Sequence, residues 1–224
     1  MKTTIISLGG SLIVPKEVDS VFLSEFKKTI LKCAHSNHQF IIFCGGGRLA
    51  RDYQEALKEI ADAPQEALDW IGIHATRINA ELVKEMFGTH AYDVVVIDPT
   101  KKISSQKKII IAAGWKPGWS TDYDAVLVAK QMKCDCLINM SNVEYVYNAD
   151  PRKVKTAKPL KEMSWKQLRS LVGNTWTPGL SMPFDPIAAK GAEKLKLKVT
   201  IIGKDIPNLE NLLSKKPFKG TVIK

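Results

Sequence analysis

The stretch TTIISLGG, residues 3–10, is an apolar run of β-forming residues that ends in two glycines. QFIIFCGGG, residues 39–47, repeats this arrangement and ends in three glycines. A run that is apolar throughout is typical of a strand buried on both faces of a parallel sheet. Helical periodicity follows the two runs at about 20–34 and 48–60. The two runs therefore predict βαβ units and an α/β fold.

The same alternation continues to the end of the chain. Further elements are predicted as strands at DVVVID (93–98), KKIIIAAG (107–114), CLINMS (136–141) and KVTIIG (198–203), and as helices at about 68–87, 123–132, 165–172 and 186–195. The chain has no internal repeat or low-complexity linker, and 224 residues with 45% hydrophobic content can bury one substantial core. We predict one domain over 1–224, with a mostly parallel sheet covered by helices on both faces.

Charge and composition narrow the possible functions. The net charge of +10 could indicate a nucleic-acid partner, but the lysines are spread over helix faces and loops. A small anionic ligand suits this charge as well, and solvated lysine faces explain it more readily than a nucleic acid does. The chain opens directly with MKTTIISLGG and has no 18-residue apolar run, so we expect a cytoplasmic protein without a signal peptide or membrane span. The four cysteines and four histidines lack zinc-site spacing, and we interpret the cysteines as reduced, packed thiols.

Glycines follow several of the predicted strands. Gly-Gly at 9–10, Gly-Gly-Gly at 45–47 and Gly118 all fall where ligands of open α/β sheets bind. Glycine lets the backbone approach an anion closely, and a helix N-terminus adds a favourable dipole. An ordinary strand-to-helix turn explains any one of these loops equally well, but three together favour phosphate binding. The Rossmann fingerprint, the P-loop, the nucleophile elbow and the zinc-protease helix motif are all absent.

Two further loops have unusual compositions. AAGWKPGWSTDYDA, residues 112–125, places a lysine between two tryptophans and then offers hydroxyls and two carboxylates to the start of an apolar helix. NTWTPGLSMPFDP, residues 174–186, is rich in Pro and Gly, and we expect it to form an active-site loop.

The order of six motifs resembles that of the amino-acid-kinase superfamily, and within it the archaeal-type UMP kinases most closely. The motifs are SLGGSLI (7–13), CGGGRLARDY (44–53), DWIGIHATRINA (69–80), GWKPGWSTD (114–122), SNVEYVYNADP (141–151) and FDPIAAK (184–190). Each is weak alone, but the combination is specific and covers nearly the whole chain.

The resemblance implies an α/β/α sandwich that transfers the γ-phosphate of ATP, with Mg²⁺, to UMP in pyrimidine nucleotide biosynthesis. The acceptor, UMP, would occupy the N-terminal half, about 1–125, and ATP the C-terminal half, about 126–224. A homo-oligomer, commonly a hexamer in this family, is also implied, with neither nucleic acid nor membrane as a partner.

Site residues are carried over from the same resemblance. The positions that match UMP contacts are Gly46, Asp69, Trp115, Lys116, Pro117, Gly118, Trp119, Ser120 and Thr121. Those that match ATP contacts are Gly9, Gly10, Ser11, Gly47, Arg51, Ser141, Asn142, Tyr147 and Asp150. The residues expected to act in catalysis are Asp122, as the carboxylate that organises the donors and cations, together with Gly10 and Lys116.

Neighbouring acidic residues match the family less well. Asp124 does not match its pattern, and we expect it to cap the helix or face solvent. Asp185 and Lys190 fall in a second site segment of the family, although helix capping explains Asp185 equally well.

Two departures from the family pattern bear on activity. Ser7 stands where the family usually has a lysine that contacts the phosphates, and Glu144-Tyr145 replaces the usual Asp-Gly of the nucleotide loop. We therefore propose that Lys116 supplies the missing positive charge, with its stem packed against Trp115 and Trp119. A solvated loop lysine is the equal alternative.

Two other functions stay open at this point. One is a sister kinase for another small acid or phosphate, although CGGGRLAR lacks the histidine usual in isopentenyl phosphate kinases. The other is a nucleotide- or oxyanion-binding protein without turnover, because Ser7 removes a catalytic charge.

Overall fold

The structure of the protein is a computed structural model that describes residues 2–34, 38–149, 151, 154–173 and 182–224. Within these residues the strands are β1 (Lys2–Leu8), β2 (His38–Cys44), β3 (Ile109–Ala112), β4 (Cys136–Met140), β5 (Val146–Tyr147), β6 (Pro159–Leu160), β7 (Glu162–Met163), β8 (Lys198–Ile202) and β9 (Thr221–Ile223). The helices are α1 (Gly10–Ile13), α2 (Ser20–Ala34), α3 (Gly47–Ile60), α4 (Gln65–Phe87), α5 (Thr121–Gln131), α6 (Trp165–Val172), α7 (Pro186–Lys194) and α8 (Ile206–Leu213), with a 3-10 turn at Gly88–His90.

A mostly parallel sheet forms the middle layer. Its strand order is β3-β2-β1-β4-β8-β9-β7, and β9 runs antiparallel to β8. The chain moves outward from β1 through β2 to β3, and then returns to the other side of β1 for β4 and β8. The topological switch point, where open α/β sheets bind their ligands, therefore lies between β1 and β4.

Helices cover both faces of this sheet, as the apolar strands predict. Ile6 and Leu8 of β1 point into a cluster with Phe26 of α2, Val83 of α4 and other buried side chains. Ile5 points the opposite way, into a second cluster that includes residues of α5, α6 and α7. The predicted three-layer α/β/α fold is confirmed. Among the described residues no helix is long and apolar enough to cross a bilayer.

The glycine turns after β1 and β2 interlock at the carboxyl edge of the sheet. The Gly45 N–H donates to the Leu8 carbonyl at 3.0 Å, and a Cβ on Gly10 would lie 2.0 Å from the Gly47 nitrogen. Gly47 itself has φ +66°, in the left-handed region that favours glycine. Close approach of the two backbones therefore requires glycine at positions 10 and 47, whatever ligand they bind.

The strand predicted at 93–98 is wrong. This segment pairs with β3 only through isolated bridges, Ala91 with Ile109 and Val96 with Ala112. Between these two bridges the first segment advances five residues, from 91 to 96, while β3 advances only three, from 109 to 112. The two extra residues bulge out of the sheet and interrupt the hydrogen-bonded strand ladder. DVVVID is rich in β-branched residues, which favour strands, but its context at the edge of the sheet outweighs this intrinsic preference.

Most other predicted elements are present, with boundaries shifted by one to three residues. The helices predicted at 20–34 and 165–172 are confirmed without a change of bounds. The short strands β6, β7 and β9 and the helices α1 and α8 were not predicted. Most of the predicted loop 174–186 lies outside the described residues.

The interlocked turns predict a large cost for a single added methyl group. Gly10→Ala should destabilise the fold by about 2–4 kcal/mol, because the new Cβ meets backbone atoms that cannot move aside. Gly191→Ala is the matched control: its Cβ would meet side-chain atoms, a Val126 methyl at 3.3 Å and the Tyr123 ring at 3.7 Å, within a helix where alanine is favoured. It should stay within about 1 kcal/mol of wild type in urea denaturation. Equal midpoints for both variants would contradict this geometry.

Candidate active site

Side chains at the switch point converge on one carboxylate. Ser7 of β1 lies directly opposite Asn139 of β4 in the parallel register. Alternation turns both side chains toward the face that α5 covers. Asp122, in the first turn of α5, accepts a hydrogen bond from Ser7 Oγ at 2.7 Å and from Asn139 Nδ2 at 2.8 Å, both on Oδ1. These bonds fix Asp122 at the switch point between β1 and β4.

A second acidic side chain lies beside Asp122. Asp185 caps α7, where its Oδ1 accepts from the Ala188 N–H at 2.6 Å, and its own N–H points at Asp122 Oδ2 at 3.4 Å. The pKa of Asp122 is raised to about 6, mainly by burial; the Ser7 bond opposes this shift, and the charge of Asp185 contributes to it. Burial also raises the pKa of Asp185. Asp185 therefore combines the capping role with a place in the site.

Asp124 does not face solvent, contrary to expectation. Its residue is fully buried, and its Oδ2 accepts from the Trp115 N–H at 3.1 Å. Burial raises its pKa to about 7, with the charges of Asp122 and Asp185 acting in the same direction. Ser120 is the actual N-cap of α5, accepting from the Tyr123 N–H at 3.2 Å. The capping role expected for Asp124 is therefore filled by Ser120.

Side chains of α4 hold the 114–120 loop through hydrogen bonds to its backbone. Asp69 Oδ2 accepts from the Gly118 N–H at 2.7 Å, and Thr76 Oγ1 accepts from the Gly114 N–H at 2.8 Å. Arg77 donates to the Trp115 carbonyl at 3.0 Å. Since α4 begins at Gln65, Asp69 lies in its second turn and is not a capping residue.

Aromatic rings flank this loop. The Lys116 ammonium lies 4.0 Å from the centroid of the Trp115 ring, a cation–π distance. Trp119 stacks on Tyr123 of α5, with ring centroids 4.4 Å apart. The side chain of Lys116 is otherwise exposed.

A model of the amino acid kinase family matches residues 2–203 of this chain. The chain belongs to the amino acid kinase family. Its relatives in the family include the uridylate kinase of Thermococcus sibiricus, 36% identical over 223 residues and matched over 98% of both chains. The uridylate kinase of Archaeoglobus fulgidus is 34% identical over 221 residues.

Solved structures of the family agree in fold. The crystal structure of uridylate kinase from Archaeoglobus fulgidus superposes with a TM-score of 0.85 at 34% identity, covering 100% of both chains. That of UMP kinase from Bacillus anthracis gives a TM-score of 0.77 at 20% identity, over 100% of this chain and 96% of the other. The second likeness concerns the fold alone.

The residues that the family resemblance assigns to ATP line the same edge from the other side. Gly9 donates its N–H to the Met140 carbonyl at 2.8 Å, which brings the first glycine turn against the end of β4. Ser141 follows β4 directly, and its Oγ accepts from the Val143 N–H at 3.3 Å. Ser11 and Arg51 are half-buried on α1 and α3.

The loop after β4, which the family resemblance assigns to ATP, is only partly described. Asn142 is exposed, and Tyr147 of β5 meets the Tyr145 ring edge-on at 6.5 Å. The departure at Tyr145 therefore places a second aromatic ring beside Tyr147. Asp150 lies outside the described residues.

Several polar residues at this edge were missed from the sequence. Asn139 sits inside an apolar strand, and its alignment with Ser7 becomes visible only through the register. Asn79 donates to the carbonyls of Gly45 and Gly46, at 2.8 and 3.1 Å, and so fixes the second glycine turn. Asn79 and Arg77 both belong to a quoted motif, but nothing in the pattern showed which side chains face inward.

The raised pKa values predict a stability profile that Asp124→Asn should change. The folded chain keeps a proton on Asp124 up to about pH 7. The unfolded chain releases it near pH 4, so stability falls as pH rises through that window. Asn keeps an oxygen acceptor without titrating. We expect the variant to gain roughly 2–4 kcal/mol relative to wild type at pH 8, and far less at pH 4. Parallel pH profiles of urea-unfolding free energy would contradict the shift.

Proposed function

We propose that this chain is a UMP kinase that transfers the γ-phosphate of ATP to UMP. The observation that carries the proposal is Asp122, fixed by Ser7 and Asn139 at the switch point between the glycine turns and the 114–120 loop. Similarity to uridylate kinases over 98% of the chain supports UMP as the acceptor. Phosphoryl transfer needs two anionic substrates placed in line at such a point.

The two substrates would meet across the edge of the sheet. UMP would bind between Gly46, Asp69 and the 114–120 loop, in the N-terminal half of a single domain. ATP would bind mainly in the C-terminal half, at the loop after β4. Its phosphates would lie over the first glycine turn, within reach of Arg51. Asp122 lies between the two, because α5 begins where the 114–120 loop ends.

The protein's part in the reaction is positioning and charge. Backbone N–H groups of the glycine turns and of the first turn of α5 would donate to the phosphoryl oxygens. Asp122 would orient the cations around the transferring group. Mg²⁺ fits this site, because Asp122 and Asp185 offer hard carboxylate oxygens and the ATP phosphates supply most of its ligands. Bound Mg²⁺ would neutralise the charge that develops on those phosphates.

Lys116 is proposed as the cation that compensates for Ser7. Ser7 is buried with its hydroxyl bonded to Asp122, so a lysine at this position would place its charge at the carboxylate. Lys116 lies on the 114–120 loop, where the Trp115 ring holds its ammonium. A held ammonium loses less freedom on binding phosphate than a solvated one.

Lys116→Ala should lower kcat by roughly 10²-fold with both substrates saturating, as expected for one preorganised charge. Ser7→Lys in that background should restore part of the loss. Lys102→Ala, another exposed loop lysine, is the control and should keep wild-type kcat. A wild-type kcat for Lys116→Ala would make Lys116 an ordinary solvated side chain.

A panel of nucleoside monophosphates tests the assignment of the acceptor. UMP at about a hundred times its Kd should raise Tm by roughly 5–10 °C, because it binds only the folded state. CMP and AMP should give much smaller shifts, and a coupled assay should show ADP formation with UMP. Equal shifts for all three would sink the UMP assignment. Binding without ADP formation would favour the oxyanion- or nucleotide-binding alternative, and turnover of another acid the sister-kinase alternative.

Assembly and location are proposed from the same resemblance. A homo-oligomer, commonly hexameric in the family, would cover the apolar side chains that α4 exposes, among them Trp70, Ile78 and Leu82. We propose the cytoplasm as the location. The four cysteines are free thiols, as expected in a reducing compartment, and the partners proposed are ATP and UMP, without nucleic acid or membrane.

A further inference from the structure

Asp124 is a buried carboxylate whose position needs an explanation. Its exposure is 0%, and its Oδ1 has no hydrogen-bond partner among the described residues. The neighbours Ala125 and Val128 on α5 are apolar and fully buried. Burying a carboxylate with one oxygen unpaired is unfavourable. A residue that served packing alone would be apolar here, so the contribution of Asp124 lies in the bond that its other oxygen makes.

That bond reaches the 114–120 loop. Asp124 Oδ2 accepts the Trp115 N–H at 3.1 Å. The other side-chain bonds to this loop come from Asp69, Thr76 and Arg77, all on α4. Tyr123 of α5 stacks on Trp119, and Asp124 is the α5 side chain that hydrogen-bonds to this loop within the described ranges. The same helix carries Asp122 half a turn earlier. The bond therefore links the position of the loop directly to that of Asp122.

Some backbone N–H groups of the 114–120 loop are bonded within the protein, and only the others are available to a ligand. The N–H groups of Gly114, Trp115 and Gly118 already donate to side chains. Those of Lys116, Trp119 and Ser120 have no partner in the described part of the chain. Turning the peptide before Trp115 would change the direction of the Lys116 N–H, whose nitrogen is three backbone bonds from the Trp115 nitrogen. The loop can present its remaining donors consistently only while Trp115 stays anchored.

We propose that Asp124 is a positioning residue for the acceptor phosphate, because it holds the 114–120 loop at a fixed distance from Asp122 through the Trp115 N–H. The inference rests on the proposed function, in which this loop binds UMP. It assigns a role to a carboxylate that touches neither substrate. Its loss should therefore weaken acceptor binding and alignment and leave ATP binding unchanged.

Two substitutions at this position separate positioning from packing. Asp124→Val fills the apolar site but removes the acceptor for Trp115 N–H. We expect Tm equal to or above that of wild type, KM for UMP raised about tenfold or more, kcat lowered, and KM for ATP within about twofold. Asp124→Asn keeps an acceptor oxygen of the same shape. It should restore KM for UMP to within about threefold of wild type.

Asp98→Asn is the matched control for charge. Asp98 raises the pKa of Asp124 through its charge, so it lies in the same electrostatic neighbourhood. Its carboxylate bonds to Thr100 and Lys101 and makes no described contact with the 114–120 loop. Asp98→Asn should leave Tm and both KM values near wild type.

Amide hydrogen exchange tests the hydrogen bond between the Trp115 N–H and Asp124 directly, without an activity assay. The Trp115 amide should exchange about tenfold faster or more in Asp124→Val and near the wild-type rate in Asp124→Asn. Wild-type KM for UMP and wild-type exchange in the Val variant would overturn the proposal. A fall in Tm with equal losses for UMP and ATP would also overturn it, in favour of a packing role. Wild-type protein inactive on UMP would overturn the proposed function instead, and the exchange rates would then decide whether Asp124 anchors the loop.

Discussion

The rest of the structure depends on the two hydrogen bonds that Asp122 accepts from Ser7 and Asn139. They tie two adjacent strands of the sheet to the helix that follows the 114–120 loop, so three segments meet at one oxygen atom. Ser7 is 115 residues from Asp122 in sequence, and Asn139 is 17 residues from it. Ser7 and Asn139 can meet because β1 and β4 are neighbours in the sheet. This pair of strands is the switch point, from which the chain connections lead to opposite sides of the sheet. Two buried strand positions carry polar side chains as a result, and the apolar residues around them supply the core.

The site concentrates acidic groups where negatively charged substrates are proposed to bind. Burial raises the pKa of all three carboxyl groups, Asp122, Asp124 and Asp185, and the charges of neighbouring carboxylates raise those of Asp122 and Asp124 as well. Simultaneous ionisation of all three is therefore unfavourable near neutral pH. Each also accepts a backbone or side-chain hydrogen bond that orders a nearby element. The carboxylates therefore act mainly as acceptors that hold donors in place, and in the proposed function the attraction for phosphate would come from N–H groups, lysines and the excess positive charge.

The sequence was sufficient for the layers, most of the helices and the edge of the sheet at which the site lies. Apolar runs ending in glycine carry that information locally. Two kinds of feature were out of reach. The pairing of Ser7 with Asn139 depends on register, which is set by contacts across 132 residue positions (139 − 7). The burial of Asp124 depends on the packing of α5, and its charge alone suggested solvent; by contrast, Asp205 before a proline was a readable N-cap that could have predicted α8.

The broken pairing beside β3 has a consequence for how the chain behaves at high concentration. An open sheet offers unpaired backbone donors and acceptors at its two outermost strands, where a second molecule can add a strand of its own. Here one border is covered by the segment 91–96, whose two extruded residues interrupt the row of backbone groups, and the other ends in the two-residue strand β7. Neither border presents a long, straight template. The irregular segment thus guards an apolar sheet against intermolecular strand addition and aggregation.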